Sequence, residues 1–180
     1  MSLRRFAVPV LGVSLSAFAQ TPDADFTAVS DYPSLQTLAQ ELARKPFPPA
    51  KANLDPFFES LDYDGHRQIR FVSENALFTD PARKLNQQQT YRIEFFHPGW
   101  MFKRPVRFFI IEDGATQPVP FDASLFDYGK LQPPESVRPP AGYAGFRVIE
   151  PSTPDEWHSE FLVFMGASYF RATAKDLIYG

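Results

Sequence analysis

Residues 141–171 read Ala-Gly-Tyr-Ala-Gly-Phe-Arg-Val-Ile-Glu-Pro, a polar gap, then Glu-Phe-Leu-Val-Phe-Met-Gly-Ala-Ser-Tyr-Phe-Arg. Two apolar, aromatic runs with Gly, Ala and Ser where backbones must approach predict paired strands in a packed sheet. Such a pair needs a facing layer, because a sheet face rich in Phe161, Phe164 and Phe170 is stable only when buried in two packed layers. Nothing after Gly180 supplies that layer, so the sequence predicts an exposed apolar patch and an unpaired strand edge.

The composition agrees with a β-rich reading. The chain has 180 residues, enough for one medium domain, with 19 Phe and 18 Pro. Proline is at about twice its usual share of roughly 5%. Prolines break helices and crowd loops and edges, while aromatics favour strands. A net charge of −3 with scattered Lys and Arg leaves no basic footprint for nucleic acid. With no cysteine, the domain has to fold on its core alone.

The first residues read as an export signal. Arg4-Arg5 precedes an apolar run from Phe6 to Phe18, and Ala17-Phe18-Ala19 has the small-x-small pattern of a cleavage site. The run is shorter than the roughly 20 residues a membrane anchor needs. The expected organisation is a signal peptide over 1–19, a loose leader over 20–32 and a β domain over 33–180, with no stable membrane anchor after cleavage.

Along the domain, the spacing of Leu35, Leu38 and Leu42 predicts a helix over 33–45 that docks its apolar stripe on a sheet. A short helical turn is expected over 54–61, and strands over 68–72, 91–96, 106–111, 145–149 and 161–170. Asp113-Gly114 is a strong turn signal, and residues 132–140, with four prolines, read as a surface loop.

Several blocks also carry a family resemblance. Leu61-Asp62-Tyr63-Asp64 with Gln68-Ile69-Arg70-Phe71 comes first, followed by Glu94-Phe95-Phe96-His97-Pro98-Gly99 with Phe102 and Pro105-Val106. Gly145-Phe146-Arg147-Val148, Met165 to Arg171 and Tyr179-Gly180 then fall in the same order. Over residues 33–180 the chain resembles the periplasmic glucans biosynthesis proteins of the MdoG/OpgG and OpgD group, of which it would represent the N-terminal third or so. The resemblance implies a periplasmic protein that makes or trims osmoregulated glucans with a β-1,2-linked backbone. It also implies a large β-sandwich domain with one or two short N-terminal helices, incomplete in this chain. The family's glucan-active glycoside hydrolase or modifying activity would then be absent here, since its acids are expected beyond Gly180.

The residues themselves offer little catalytic machinery. Glu94-x-x-His97 and Asp155-x-x-His158 have the spacing of a metal pair on a helix. The first lies at a strand end, where residues three apart point to opposite faces, and the second in a Pro-flanked loop. With three histidines and no cysteine, no metal site and no cofactor are expected. Ser168 lacks the Gly-x-Ser-x-Gly elbow of a hydrolase nucleophile. Among 21 acidic residues, chance pairs are many and none stands out as catalytic.

Sugar binding needs exposed flat rings beside polar groups. Tyr169 and Arg171, two apart on one strand, share a face and are the first candidates. Trp100, in the turn after His97-Pro98-Gly99, and His97 come next. The reading is a periplasmic β domain that binds β-glucan. The alternatives are a non-catalytic, secreted β-rich module for carbohydrate or protein, and a fragment with no stable activity of its own.

Overall fold

The computed structural model describes residues 26–46, 53–78, 91–150, 160–166 and 168–173. Among them the protein is mainly β, with eight strands in three antiparallel sheets. The strands are β1 (Arg70–Phe71), β2 (Arg92–Phe96), β3 (Phe108–Glu112) and β4 (Ala115–Val119), then β5 (Phe126–Asp127), β6 (Gly145–Ile149), β7 (Glu160–Met165) and β8 (Tyr169–Ala172). The largest sheet has the order β2-β6-β7-β8, and the pairs β1-β5 and β3-β4 are separate ribbons.

The opening stretch folds as its composition dictates. β6 pairs with β7 from Gly145↔Met165 to Val148↔Leu162, which is the strand pair read from the sequence. The approach is so close at Gly145 that a Cβ there would lie 2.1 Å from the Phe164 carbonyl oxygen. The expected single strand over 161–170 is instead a hairpin. It turns after Met165, and β8 runs back with Met165↔Tyr169 and Leu162↔Ala172 in register. Gly166, at φ +63, supplies the left-handed residue this turn needs.

Asp113 and Gly114 both have positive φ, as a tight hairpin turn requires, and join β3 to β4. Pro118 did not forbid β4, because a two-stranded ribbon consists of edges, where a missing N–H costs no ladder bond.

The core forms around fully buried Tyr143, which clusters with buried Phe95 and Phe126. The Tyr143 ring stacks on Phe95 with centroids 4.0 Å apart and also touches Phe108, Phe121 and Phe126. A buried hydroxyl must find partners. That of Tyr143 donates to the Pro120 carbonyl at 2.7 Å and accepts from the Asp122 N–H at 3.2 Å.

Three helices are described: α1 (Tyr32–Ala43), α2 (Pro56–Glu59) and α3 (Tyr63–His66). Asp31 caps α1 by accepting from the Ser34 N–H at 2.9 Å, while the Ser34 hydroxyl accepts from the Asp31 N–H at 3.1 Å. The expected docking of the leucine stripe is not seen. No residue of α1 is buried, Leu35 and Leu42 are exposed, and of the three leucines only Leu38 lines the cleft beside Ala28 and Val29, together with Ser34, Thr37 and Glu41. The end of the stretch read as a loose leader is packed. Phe26 stacks on Phe109 at 4.7 Å, Val29 is buried, and the Thr116 hydroxyl donates to its carbonyl. The described part of the signal-peptide reading is nil, since residues 1–25 lie outside the described set.

His97 belongs to this core. It is 3% exposed and ringed by Phe58, Phe121, Phe126 and Tyr128. The Pro98 carbonyl can only accept, so His97 Nδ1 donates to it at 2.6 Å. Nε2 is then a lone pair that accepts from the Tyr128 hydroxyl at 3.3 Å. Both ring nitrogens are engaged inside the protein, so His97 offers no direct contact to a sugar. Burial pushes its pKa down to about 4, with the nearby His66 adding to the effect and the Pro98 bond opposing it. Burial likewise raises the Tyr128 hydroxyl to about 12.

Two measurements check this packing. Gly145→Ala should destabilise the protein by about 1–3 kcal/mol, the usual cost of overpacking, because the added methyl meets backbone rather than a side chain that can move aside. Denaturant unfolding with an unchanged midpoint would contradict the close approach. For His97, the unfolded state titrates near 6.5 and the folded state near 4, so between these values the unfolded chain binds more protons. Stability is complete above pH 6.5 and falls as pH drops towards 4, by roughly 3 kcal/mol at about 1.4 kcal/mol per unit. Chemical denaturation across that window should show a shallower decline for His97→Gln than for the wild type, and equal slopes would remove His97 as the source.

Candidate functional site

The two faces of the large sheet differ in chemistry. Ile93, Phe95, Phe146 and Phe164 alternate onto the face that meets Tyr143 and Phe108, as the two-residue period of a strand requires. The opposite face carries charge. Glu94 on β2 is directly opposite Arg147 on β6. Its Oε2 accepts from Arg147 Nε at 2.9 Å and from Nη2 at 2.6 Å. Arg147 Nη1 reaches Glu160 on β7 at 3.5 Å, and Glu160 in turn accepts from Arg171 on β8. Four strands thus contribute four alternating charges to one connected row, in which Glu160 sits diagonally because Val163 is the β7 residue opposite Arg147 and Arg171.

A register shift makes the row possible. Between Val148 and Ile149 the β6–β7 pairing skips a residue, so Ile149 faces Glu160 rather than Phe161. One extra residue in a strand transfers the side chains beyond it to the other face. Without this bulge, Glu160 would leave the face that holds Arg147.

Burial differs along the row, with Arg147 35% and Glu160 17% exposed between its two ends. The Glu94 side chain is 1% exposed and that of Arg171 is 45% exposed. Breaking a buried pair from one side leaves a bare charge behind and is costly, whereas an exposed pair contributes little. The inner pair therefore holds the outer one in place. Tyr169 lies two residues before Arg171 on β8, on the same face, with half its surface open to solvent. The pairing read from sequence for Tyr169 and Arg171 is the arrangement observed. The strand is the last in the sheet's order, and on its other face Phe170 is exposed and stacks on Phe164, which stacks on Phe146.

Trp100 lies elsewhere. After β2 the chain passes buried His97, Pro98 and Gly99, then makes a two-residue turn at Trp100 and Met101, closed by Gly99 N–H to Phe102 at 3.1 Å and the reverse bond at 2.8 Å. Trp100 has φ 51°, a left-handed conformation that costs a bulky residue about 1–2 kcal/mol. Its ring neighbours are Tyr63, His66 and Phe102, at 5.3, 6.3 and 6.0 Å between centroids. Among the described residues no ring contact joins Trp100 to Tyr169, and His97 lies inside.

Tyr63 and Asp64 of α3 belong to a block of the family resemblance, but the sequence reading names no residue of α3 as a site candidate. Asp62 caps this single turn by accepting from the Gly65 N–H at 2.7 Å. An Asp three residues before a Gly N–H was the available signal, and it could have placed Tyr63 and His66 on a structured turn. What no local pattern conveys is that α3 packs beside a turn some thirty residues later.

No group of three or more His, Cys, Asp or Glu side chains is arranged to hold a metal among the described residues. Asp155 and His158 lie outside them. Ser168 is exposed just before β8. Residues 132–140 are the irregular, mostly exposed loop that the prolines predict, and Pro133, Pro134 and Pro140 also wall an apolar cavity of about 280 Å³ with Phe58, Phe121 and Tyr128. Its lining has few polar groups with which to orient a sugar. No described helix is long and apolar enough to cross a membrane.

Comparison with known proteins gives the arrangement a context. The MdoG family, described as periplasmic glucan biosynthesis protein, matches residues 31–180. Glucans biosynthesis protein G of Rhodopseudomonas palustris (strain BisA53) is 33% identical over 97% of this chain and 33% of its own length. The protein G of Bradyrhizobium diazoefficiens is 37% identical over 93% of this chain and 33% of its own. Glucans biosynthesis protein D of Xanthomonas oryzae pv. oryzae is 36% identical over 83% of this chain and 27% of its own. The chain spans about a third of the length of these relatives. By a match that runs from the α1 cap to the last residue, the chain belongs to the MdoG family of periplasmic glucan biosynthesis proteins.

Proposed function

We propose that this chain serves periplasmic glucan biosynthesis by binding the glucan, and that Tyr169 with Arg171 on β8 forms its main contact. The observation that carries this reading is an exposed ring sharing a strand face with a guanidinium whose position is set by Glu160. A flat ring takes the apolar face of a pyranose, and the guanidinium donates to hydroxyls beside it. Trp100 is a second contact on its own turn. His97 acts from within, as a positioning residue whose carbonyl and ring hold the turn that leads to Trp100.

Binding is favoured over cleavage at this face for a specific reason. Glycoside hydrolysis uses two carboxyl groups flanking the scissile bond, one of them free to donate a proton. The carboxylates in the row, Glu94 and Glu160, are each matched by arginine, and Glu94 is sealed from solvent. Neither is placed to meet a substrate.

The test is titration with linear β-1,2-linked gluco-oligosaccharides. Tyr169→Ala should weaken binding by about 1–3 kcal/mol, by analogy with a stacked base, while the thermal transition stays in place. Affinity unchanged in the variant, or binding lost only together with the fold, would return Tyr169 to a structural role.

A further inference from the structure

A surface turn rarely places a tryptophan in a left-handed conformation, and strain of this kind persists only where the surroundings over-determine it. Here the restraints can be named. Gly99 lies so near His66 that a Cβ would come within 2.8 Å of the imidazole Cδ2, so glycine lets the turn close on α3. His66 Nε2 donates to the His97 carbonyl at 2.8 Å, tying α3 to the strand end from which the turn departs. Phe102 contacts both His66 and Trp100. The indole is thereby held against Tyr63 at an interplanar angle of 66°.

These restraints do not bury the pair. Tyr63 is 54% exposed, Trp100 remains partly open, and Met101 beside it is exposed. At the rim, Asp64 and Arg67 form a wide ion pair of 3.9 Å with both side chains well solvated, and Arg67 also lies over the Tyr63 ring at 5.6 Å. An exposed pair of this kind adds little to stability, so its groups can exchange water for ligand hydroxyls at small cost.

We propose that Tyr63 and Trp100 form two walls of a pyranose subsite, separate from the contact on β8, with Asp64 and Arg67 as its polar rim. One ring supports the apolar face of the sugar and the other closes its edge. The Asp64 carboxylate accepts from a pair of hydroxyls, and Arg67 donates to a ring or hydroxyl oxygen. A β-linked glucose suits these walls, because its equatorial hydroxyls leave both broad faces to C–H groups. Two separate subsites on one domain raise avidity for a polymer over a monosaccharide. The inference rests on the glucan-binding reading and adds Tyr63, Asp64 and Arg67 to it.

The test uses the full chain with its second tryptophan replaced, Trp157→Phe, so that emission reports Trp100 alone. Sophoro-oligosaccharides are titrated by calorimetry and by fluorescence in parallel. Binding should shift or quench the Trp100 emission, and Tyr63→Leu should weaken affinity roughly five- to hundredfold, the equivalent of one lost stacked ring. Tyr63→Phe, which keeps the flat face, should retain affinity. Thermal unfolding of each variant establishes that α3 is intact, and Asp64→Asn with Arg67→Gln tests the rim without touching the rings. If calorimetry shows binding that Tyr169→Ala weakens while Trp100 emission and the Tyr63→Leu affinity stay unchanged, the subsite is overturned and the β8 contact stands. If no oligosaccharide binds, the glucan reading fails and the subsite with it.

Discussion

The stack of Tyr143 on Phe95 is the contact on which the other packing in this domain depends. Phe95 is in the edge strand of the large sheet, and Tyr143 is in the segment that enters the neighbouring strand. Their rings therefore fix the sheet to the chain that feeds it. The same Tyr143 ring meets Phe108 of one ribbon and Phe126 of another, so all three sheets converge on it. Its hydroxyl then sets the path of the connection between the ribbons through Pro120 and Asp122. An apolar ring of the same size would leave that backbone carbonyl and N–H without these bonds, at the cost of a buried unsatisfied group.

From this centre the sheet divides its work between faces. The face towards Tyr143 is built from rings and branched chains, and the other from an arginine and glutamate row that is sealed at Glu94 and most open at Arg171. A row of this design is not a strong source of stability, since desolvating charges offsets much of their attraction. What it does supply is geometry. A guanidinium held by a carboxylate that is itself held keeps fewer rotamers than a free surface arginine, and less entropy is lost when it meets a ligand.

Much of the framework was legible in the residues because it is written locally. The run Gly145–Ile149 is a strand as read, and Asp113-Gly114 turns the chain where positive φ is needed. Errors arose where local and distant effects compete. Residues 161–170 keep an unbroken apolar character across a hairpin turn, so composition alone could not show the reversal at Gly166. The leucines of α1 have helical spacing, but spacing creates a stripe without guaranteeing a surface to receive it. The candidate site was legible in part. Tyr169 and Arg171 follow from strand period, whereas the Glu94–Arg147–Glu160 row depends on a bulge and the Tyr63–Trp100 contact on chain folding across long separations. His97 looked available because a polar ring at a strand end usually is, and five aromatic and proline neighbours reversed that.

The pairing of β2 with β6 has a kinetic consequence. Its register joins Phe96 to Gly145, so about fifty residues must be looped out before the first ladder bond can form, at an entropic cost near 3.5 kcal/mol for an ideal flexible loop. The β3–β4 and β7–β8 hairpins close over a few residues and need no such search. The β3–β4 hairpin lies within the long loop, and forming it first shortens the span that remains flexible. The Phe95–Tyr143 contact has nearly the same sequence separation, so the event that completes the sheet also completes the core. The domain should therefore reach its large sheet and its aromatic centre in a single late step, with the two hairpins waiting for it as preassembled pieces.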